Sequence, residues 1–404
     1  MITVREAIDI VLNHTNRKAP EKVAIADAVG RVLAEDVISD MDMPPFHRSM
    51  MDGYAVRSED VASAPAALRV VGFIPAGSFP GFSLSAGETA KIMTGAPLPE
   101  GADAVREVEK TGPGRDDTEV RILEAVRAGQ NVVPAASEVS RGDVVLTSGT
   151  YLSPAAISIL AATGHTHIKI YSAPRVAVLA TGDELVEPSV VPMQGQIRNS
   201  NSSSLQAHCR ALGLECDLLG IAKDDKMALK QRIQRGLSYD VLLITGGVSM
   251  GDLDFVDDVF RELGLRILFQ KVAIKPGKPT VFALHENRPV FGLPGNPVSG
   301  ATVFEVIVRP ALRKMMGYPT WQNQIVRARL TSMFRNKSNR ENYHPSVTWY
   351  EEGRFFCRPL DTRGSGDVAS YAHCNSYLIC PQDQKEVGKG TEIDVLLRDD
   401  YYMT

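Results

Sequence analysis

The rhythm of apolar positions changes along the chain, and the changes divide it. Over residues 1–15, MITVREAIDIVLNHT, apolar residues recur at helical spacing with Arg5, Glu6 and Asp9 between them. That spacing predicts an amphipathic helix. A strand-like stretch follows, EKVAIADAVGRVLAEDVIS, and then DMDMPPFHRSMMDGYAV, a proline-interrupted connection into new structure at Tyr54. From there to about residue 145 the apolar runs are short, among them LRVVGFIPA, AKIMTG, EVRILEAV and DVVLTSGTYL. Each is bounded by glycine, proline or aspartate, the pattern of a small β domain. SPAAISILAATG predicts a helix with Ser153 as N-cap, Pro154 at its first position and Gly164 past its end.

Near Pro174 the rhythm changes. RVAVLAT, ECDLLGIA and YDVLLIT are apolar runs separated by the helical stretches SNSSSLQAHCRALG and DDKMALKQRIQRGL. DFVDDVFRELG is a further helix, TVFAL and PVFGL are strands, and PVSGATVFEVIVRPALRKMMG is one long helix. Strands alternating with helices predict βαβ units and a mostly parallel sheet covered on both faces. After Gly317 the runs IVRARL, SVTWYE, RFFCRPL, SYLICP and EIDVLL predict a small terminal barrel or sandwich.

Composition narrows the function classes. A chain of 404 residues exceeds one ordinary core, and 44% hydrophobic with 23% charged residues is the balance of a globular protein. A net charge of −4 argues against nucleic acid as a partner. No stretch approaches the ~18 uninterrupted apolar residues of a membrane span. The charged N-terminus does not resemble a signal peptide, so no membrane partner and a cytoplasmic location are expected. Cys209, Cys216, Cys357, Cys374 and Cys380 lack metal-ligand spacing and are expected to be free thiols.

The candidate chemistry sits where strands of the α/β segment end, since open parallel sheets bind ligands beyond the carboxyl ends of their strands. RVAVLA runs into Thr181, Gly182, Asp183 and Glu184; DVLLI runs into TGGVSMGDLD, with Gly246, Gly247, Ser249, Asp252 and Asp254. PVFGL runs into Pro294, Gly295, Asn296 and Pro297. Glycines admit a ligand to the backbone, and helix N-termini favour anions. Carboxylates beside such loops point to a divalent cation, and magnesium usually takes one or two of them together with substrate phosphates. QKVAIKPGKPTVFA adds Lys271, Lys275 and Lys278 as a cationic rail for phosphates or an oxyanion. Lys271 and Lys275 share a face if that segment is extended. In AKDDK, one of Asp224 and Asp225 serves the site and the other caps the next helix.

PPFHRSMMDGYAV, MTGAPLPEGADAV, ATGDEL, GQIRNSN, GGVSMGDLD, KVAIKPGKP and GLPGNPVSG span residues 44–300 in order. Together they resemble the molybdopterin molybdenumtransferase family, which includes bacterial MoeA and the C-terminal domain of gephyrin. The resemblance implies an elongated N-terminal and linker domain (1–44 with 137–172) and a small β domain (45–136). It implies an α/β domain like that of molybdopterin adenylyltransferases (173–317) and a C-terminal β-barrel (318–404). It implies insertion of molybdate into adenylylated molybdopterin with release of AMP and dependence on Mg²⁺. It also implies a homodimer whose cleft is shared between subunits, with a molybdopterin adenylyltransferase and molybdoenzyme apoproteins as candidate partners.

Carried over by motif, Glu184, Asp224 and Asp254 are the acidic members, with Glu184 and Asp254 on the metal, and Lys271 and Lys275 the basic ones. Asp52 and Thr94 come from the partner subunit. Thr181, Gly182, Asp183, Asn201, Gly246, Gly247, Ser249, Lys278, residues 294–297 and Ser365 bind substrate. The thiolates that receive the metal belong to the substrate, so no protein cysteine is required.

The chain departs from the family in two places. The arginine-rich NIRxxGED segment reads NVVPAASEVSRGD, with Val133, Pro134 and Ala135 at the basic positions and Glu138 as a replacement for the acid. The arginine-x-glutamate-tyrosine-x-arginine pattern reads RENYHP at 340–345, with Asn342 for the acid and Pro345 for the second arginine. Both lower the positive charge available for anion capture at the dimer interface. Three alternatives stay open: an adenylyltransferase using ATP, tungstate in place of molybdate, and a carrier or scaffold that keeps the pocket without turnover. Against the first stand the extra β domains and GGVS where GGTG is expected.

Overall fold

The structure is a computed structural model that describes residues 1–223, 225–247 and 256–398. Asp224, Ser249, Asp252 and Asp254 lie outside the described residues. The predicted N-terminal helix covers Val4–Asn13 and is opened by a reciprocal cap, the Thr3 hydroxyl accepting from the Glu6 amide and the Glu6 carboxylate from the Thr3 amide. Its buried face, Val4, Ala7 and Val11, joins Leu312 and Met315 in one hydrophobic cluster. Pro20–Ala24 pairs antiparallel with His167–Tyr171, and helix Pro154–Ala162, capped by Ser153, covers that ribbon through Ala156 and Leu160.

The small β unit is a six-stranded sheet in the order Ala104–Glu107, Gly53–Val56, Glu88–Ile92, Ala66–Ile74, Glu119–Ile122, Thr111–Pro113. Segment 131–139 runs beside it: Val132 pairs with Ser49, and Arg48 meets Glu138 at 3.2 Å.

The α/β sheet runs Cys216–Ala222, Val176–Thr181, Val241–Thr245, Arg288–Leu293, Val281–His285, Arg266–Phe269. The first four strands pair in parallel; Val281–His285 runs against them, and Arg266–Phe269, antiparallel to it, closes the edge. Val176–Thr181 and Val241–Thr245 are buried at every position, because helices cover both faces and leave no polar side to alternate with. The connections from Val176–Thr181 and Val241–Thr245 leave in opposite directions across the sheet, so a crevice opens beyond Thr181 and Thr245.

The helix expected over 297–317 is present but irregular. Pro297–Val303 and Arg309–Met315 are joined by a wide π turn, Phe304–Val308. Pro310 has no N–H to donate to the carbonyl four residues back and its ring crowds it, and widening the preceding turn relieves both.

The last region is a closed five-stranded barrel of Ile325–Leu330, Glu341–Glu351, Arg354–Pro359, Ser376–Cys380 and Glu392–Leu397, sealed where Glu341–Glu351 pairs with Ser376–Cys380. Ile274–Lys275 adds to the barrel in parallel with Glu341 and Asn342, tying the α/β domain to it. All five cysteines are free and buried. Among the described residues no helix is long and apolar enough to cross a membrane.

Candidate active site

The strand ends converge as the apolar runs predict, and two glycines make the convergence possible. Gly246, at φ +88°, packs so closely on strand Val176–Thr181 that an added Cβ would lie 2.4 Å from the Thr181 carbonyl oxygen. Gly182 sits under the Glu184 carboxylate, where a Cβ would meet Oε2 at 2.5 Å. Both positions exclude any larger residue. Asn201, in helix Ser200–Ala211, donates from Nδ2 to the Thr245 hydroxyl and to the Gly295 carbonyl, each at 2.8 Å. One side chain thus ties together two of the three loops, while Asp183 and Glu184 stand exposed on the third.

Two buried oxygens beside these loops have no partner among the described residues, Thr181 Oγ1 and Asn201 Oδ1. A buried polar atom left unpaired costs about 1–3 kcal/mol, and both oxygens remain able to accept from a ligand. No group of three His, Cys, Asp or Glu able to hold a metal exists among the described residues. Magnesium needs fewer, and the donors here, the Glu184 carboxylate with a hydroxyl and an amide oxygen nearby, are the hard oxygens that it takes. The residues present fit that ion.

On the barrel side the loops border a cavity of about 350 Å³. Its lining includes Lys275, Lys278, Asn296, Ser299, Arg340, Asn342, His344, Pro345 and Ser365, with no carboxylate among the described residues. The Asn296 amide donates to the Ser365 hydroxyl at 2.9 Å, and the Val298 amide to the Ser365 carbonyl at 3.1 Å, so the PGNP loop and the barrel's Gly-Ser turn form one wall. Arg340 fixes its guanidinium on the Ile274 carbonyl at 2.8 Å. Burial, and then the charges of Arg340 and Lys337, lower the pKa of Lys275. Burial likewise lowers that of His344; its bond to the Leu360 carbonyl opposes this, and Lys275 adds to it. A half-buried cavity of crowded cations favours an anion.

The structure brings Lys275, Lys278, Asn296 and Ser365 together, and Thr181, Gly182, Asn201, Gly246 and Gly295 together. Lys271 is half-buried, does not line the cavity, and lends its carbonyl to the Ile2 amide. Residues 272–274 are all buried, so the two-residue alternation that would align Lys271 with Lys275 is broken. Asp225 is the cap of helix Lys226–Gly236. Asp52 and Thr94 sit on the small β unit, away from the cavity lining; the Thr94 amide and hydroxyl both donate to Asp52 Oδ1 at 2.7 Å and hold its carboxyl below the ordinary range.

Arg340 and His344 were not among the site residues expected from sequence, and the RENYHP segment that carries them had stood out only as a loss of charge. Their signal is the parallel pairing of residue 274 with residue 341, which no local pattern announces. The other altered segment places Val132, Pro134 and Ala135 with Phe46 and Phe79 around a second, mainly apolar cavity of about 520 Å³.

Comparison with known proteins covers the whole of this arrangement. Residues 2–164 match the MoeA N-terminal region (domain I and II), 177–314 a probable molybdopterin binding domain, and 327–397 the MoeA C-terminal region (domain IV). The molybdopterin molybdenumtransferase of Staphylococcus aureus strain Mu50 is 33% identical over 401 residues, covering 98% of this chain and 95% of that protein. Its Staphylococcus epidermidis counterpart is 33% identical over 403 residues, with the same coverage. The crystal structure of a molybdopterin biosynthesis moea protein from Pyrococcus horikosii superposes with a TM-score of 0.86 at 33% identity, covering 100% of both chains.

Proposed function

The chain belongs to the molybdopterin molybdenumtransferase family, transferases of molybdenum cofactor biosynthesis, and we propose that it inserts molybdate into adenylylated molybdopterin with release of AMP. The observation that carries this reading is the cavity with Lys275, Lys278 and Arg340 at its wall and no acid among its described lining residues, built against the strand-end loop that carries Asn296. A tetrahedral dianion needs cations and hydrogen-bond donors, and the cavity offers three cationic side chains with the Asn296 amide and Ser365 hydroxyl.

The phosphate end of the pterin substrate lies over the Gly182 and Gly246 loops, where only backbone intervenes. Glu184 would hold magnesium, with Asp254 as its expected second carboxylate. When bound, that ion would neutralise charge on the phosphoanhydride and on the departing AMP. Asn201 keeps the loops in register, and Thr181 and Asn201 offer free oxygens to the ligand. Asp52 and Thr94, joined as a rigid pair, complete the cleft from a second subunit of a cytoplasmic homodimer.

Anaerobic turnover tests the proposal directly. Purified protein with adenylylated molybdopterin, Mg²⁺ and a molybdate titration is expected to release AMP in step with formation of cofactor that reconstitutes a molybdoenzyme apoprotein. Tight binding of the pterin without AMP release, with molybdate and with tungstate, overturns the catalytic reading in favour of a carrier.

A further inference from the structure

The helix that starts at the site carries a buried charge cluster in its irregular turn. Glu305 has no solvent exposure, and Arg309 and His208 are 1% and 8% exposed. Nδ1–H of His208 donates to Glu305 Oε1 at 3.0 Å, and Arg309 Nη2 donates to the same oxygen at 2.9 Å. The His208 ring stacks on Phe304 with centroids 5.0 Å apart. Asn323, on the approach to the barrel, donates to the Glu305 carbonyl. Arg398, after the last barrel strand, lies over the Tyr371 ring and contributes its charge to the cluster. Glu305 therefore joins helix Ser200–Ala211, its own helix and the entry to the barrel.

Burial raises the pKa of the Glu305 carboxyl, and the His208 bond with the charges of Arg309 and Arg398 outweighs it, so the group stays ionised. Replacing such buried ions by apolar side chains is often neutral or stabilising, so stability alone is a poor reason for them. Geometry supplies a better one. Pro297–Val303 borders the oxyanion cavity through Val298 and Ser299 and touches its walls at both ends. Asn296 and Val298, at its start, bond to Ser365 of the barrel. Val303, at its end, packs against Gly277 of the lysine loop so closely that a Cβ there would lie 2.5 Å from Val303 Cγ2. Glu305 is two residues beyond.

We propose that Glu305 is a positioning residue for oxyanion capture. Gripped by His208 and Arg309, it fixes the setting of Pro297–Val303 and thereby the spacing between loop 275–278 and the Asn296–Ser365 wall. This rests on the transferase reading, and Glu305 itself touches no substrate.

The test compares full-length wild type with Glu305→Gln, which keeps the shape and removes the charge. The readouts are molybdate Kd by equilibrium dialysis, KM for molybdate and for the adenylylated pterin, kcat and Tm. In Glu305→Gln the molybdate Kd and KM are expected to rise about tenfold, the size of one charge-assisted hydrogen bond, with kcat at saturation and the pterin KM changed by less than about twofold. His208→Asn, a milder loss at the same oxygen, is expected to raise the molybdate Kd about threefold and serves where Glu305→Gln does not fold. A lowered Tm with unchanged molybdate Kd, or equal rises in both KM values, overturns the proposal. Wild type that neither binds nor uses molybdate overturns the transferase reading instead, and is seen before any variant is made.

Discussion

The edge of the α/β sheet ends in two unlike neighbourhoods. Around Glu184 it offers carboxylate, hydroxyl and amide oxygens over glycine floors; around Lys275 it offers cations and amides, with no acid among the described lining residues. The separation is physical necessity. At about 4 Å and an effective dielectric near 20, a carboxylate moved into the cavity would oppose a unit anion by about 4 kcal/mol. Under the proposed reaction, a site that handles a metal-bound phosphoanhydride and a free oxyanion has to keep these two environments apart, and the loop at 295–296 meets both, through Asn201 on one side and Ser365 on the other.

The sharpest way to break this contrast is to neutralise one side and ask whether the other notices. Glu184→Gln is expected to lower kcat by about 100-fold or more while leaving molybdate Kd as in wild type; a matching loss in molybdate binding would merge the two neighbourhoods. Lys275→Ala is expected to do the reverse, raising molybdate Kd by about 10- to 100-fold with kcat recovered at saturation, as steady-state titration would show. Ser365→Ala removes one hydroxyl from the shared wall and is expected to weaken molybdate by about fivefold.

The smallest effect concerns pH. The His344 pKa is lowered in the folded chain, so the ring is neutral near pH 7.5 and gains its proton only below its ordinary pKa of 6.5. Protonation adds charge to the cavity, so molybdate affinity is expected to rise modestly as pH falls below 6.5, and His344→Gln is expected to flatten that dependence. The unfolded chain takes this proton more readily than the folded one. The stability from His344 is therefore present above pH 6.5 and lost as pH falls through the lowered value, which a Tm series from pH 7.5 to 5 would register.

Legibility from sequence follows the same division. The Glu184 side was readable because it is built from strand-end loops: an apolar run, a glycine turn and a helix cap occupy a few consecutive residues, and parallel sheets put such loops at one edge. The cationic side was only half readable. Lys275 and Lys278 stood out by local crowding, but Arg340 reaches the cavity through a contact 66 residues away in sequence, to the Ile274 carbonyl. Asn342, which looked like a missing acid, is buried and donates to Asn336 Oδ1 at 3.4 Å. Pro134 and Ala135 of the altered tripeptide line, with Val132, a cavity of their own. Pro310 is the visible sign that the long helix is not regular, and Glu305, five residues earlier, needs the folded helix to acquire meaning.

The burial of every cysteine has a bearing on bystander chemistry. Under the proposed reaction, with the receiving thiolates on the substrate, protein thiols would be the competing ligands. Here Cys209, Cys216, Cys357, Cys374 and Cys380 are all enclosed, and burial raises the pKa of Cys357, Cys374 and Cys380, keeping those thiols protonated. A protonated, enclosed thiol neither captures a passing metal nor exchanges with a substrate sulfur. The protein's own thiols are thereby withdrawn from competition, so under the proposed reaction the destination of the metal is decided as much by what the chain hides as by what the site displays.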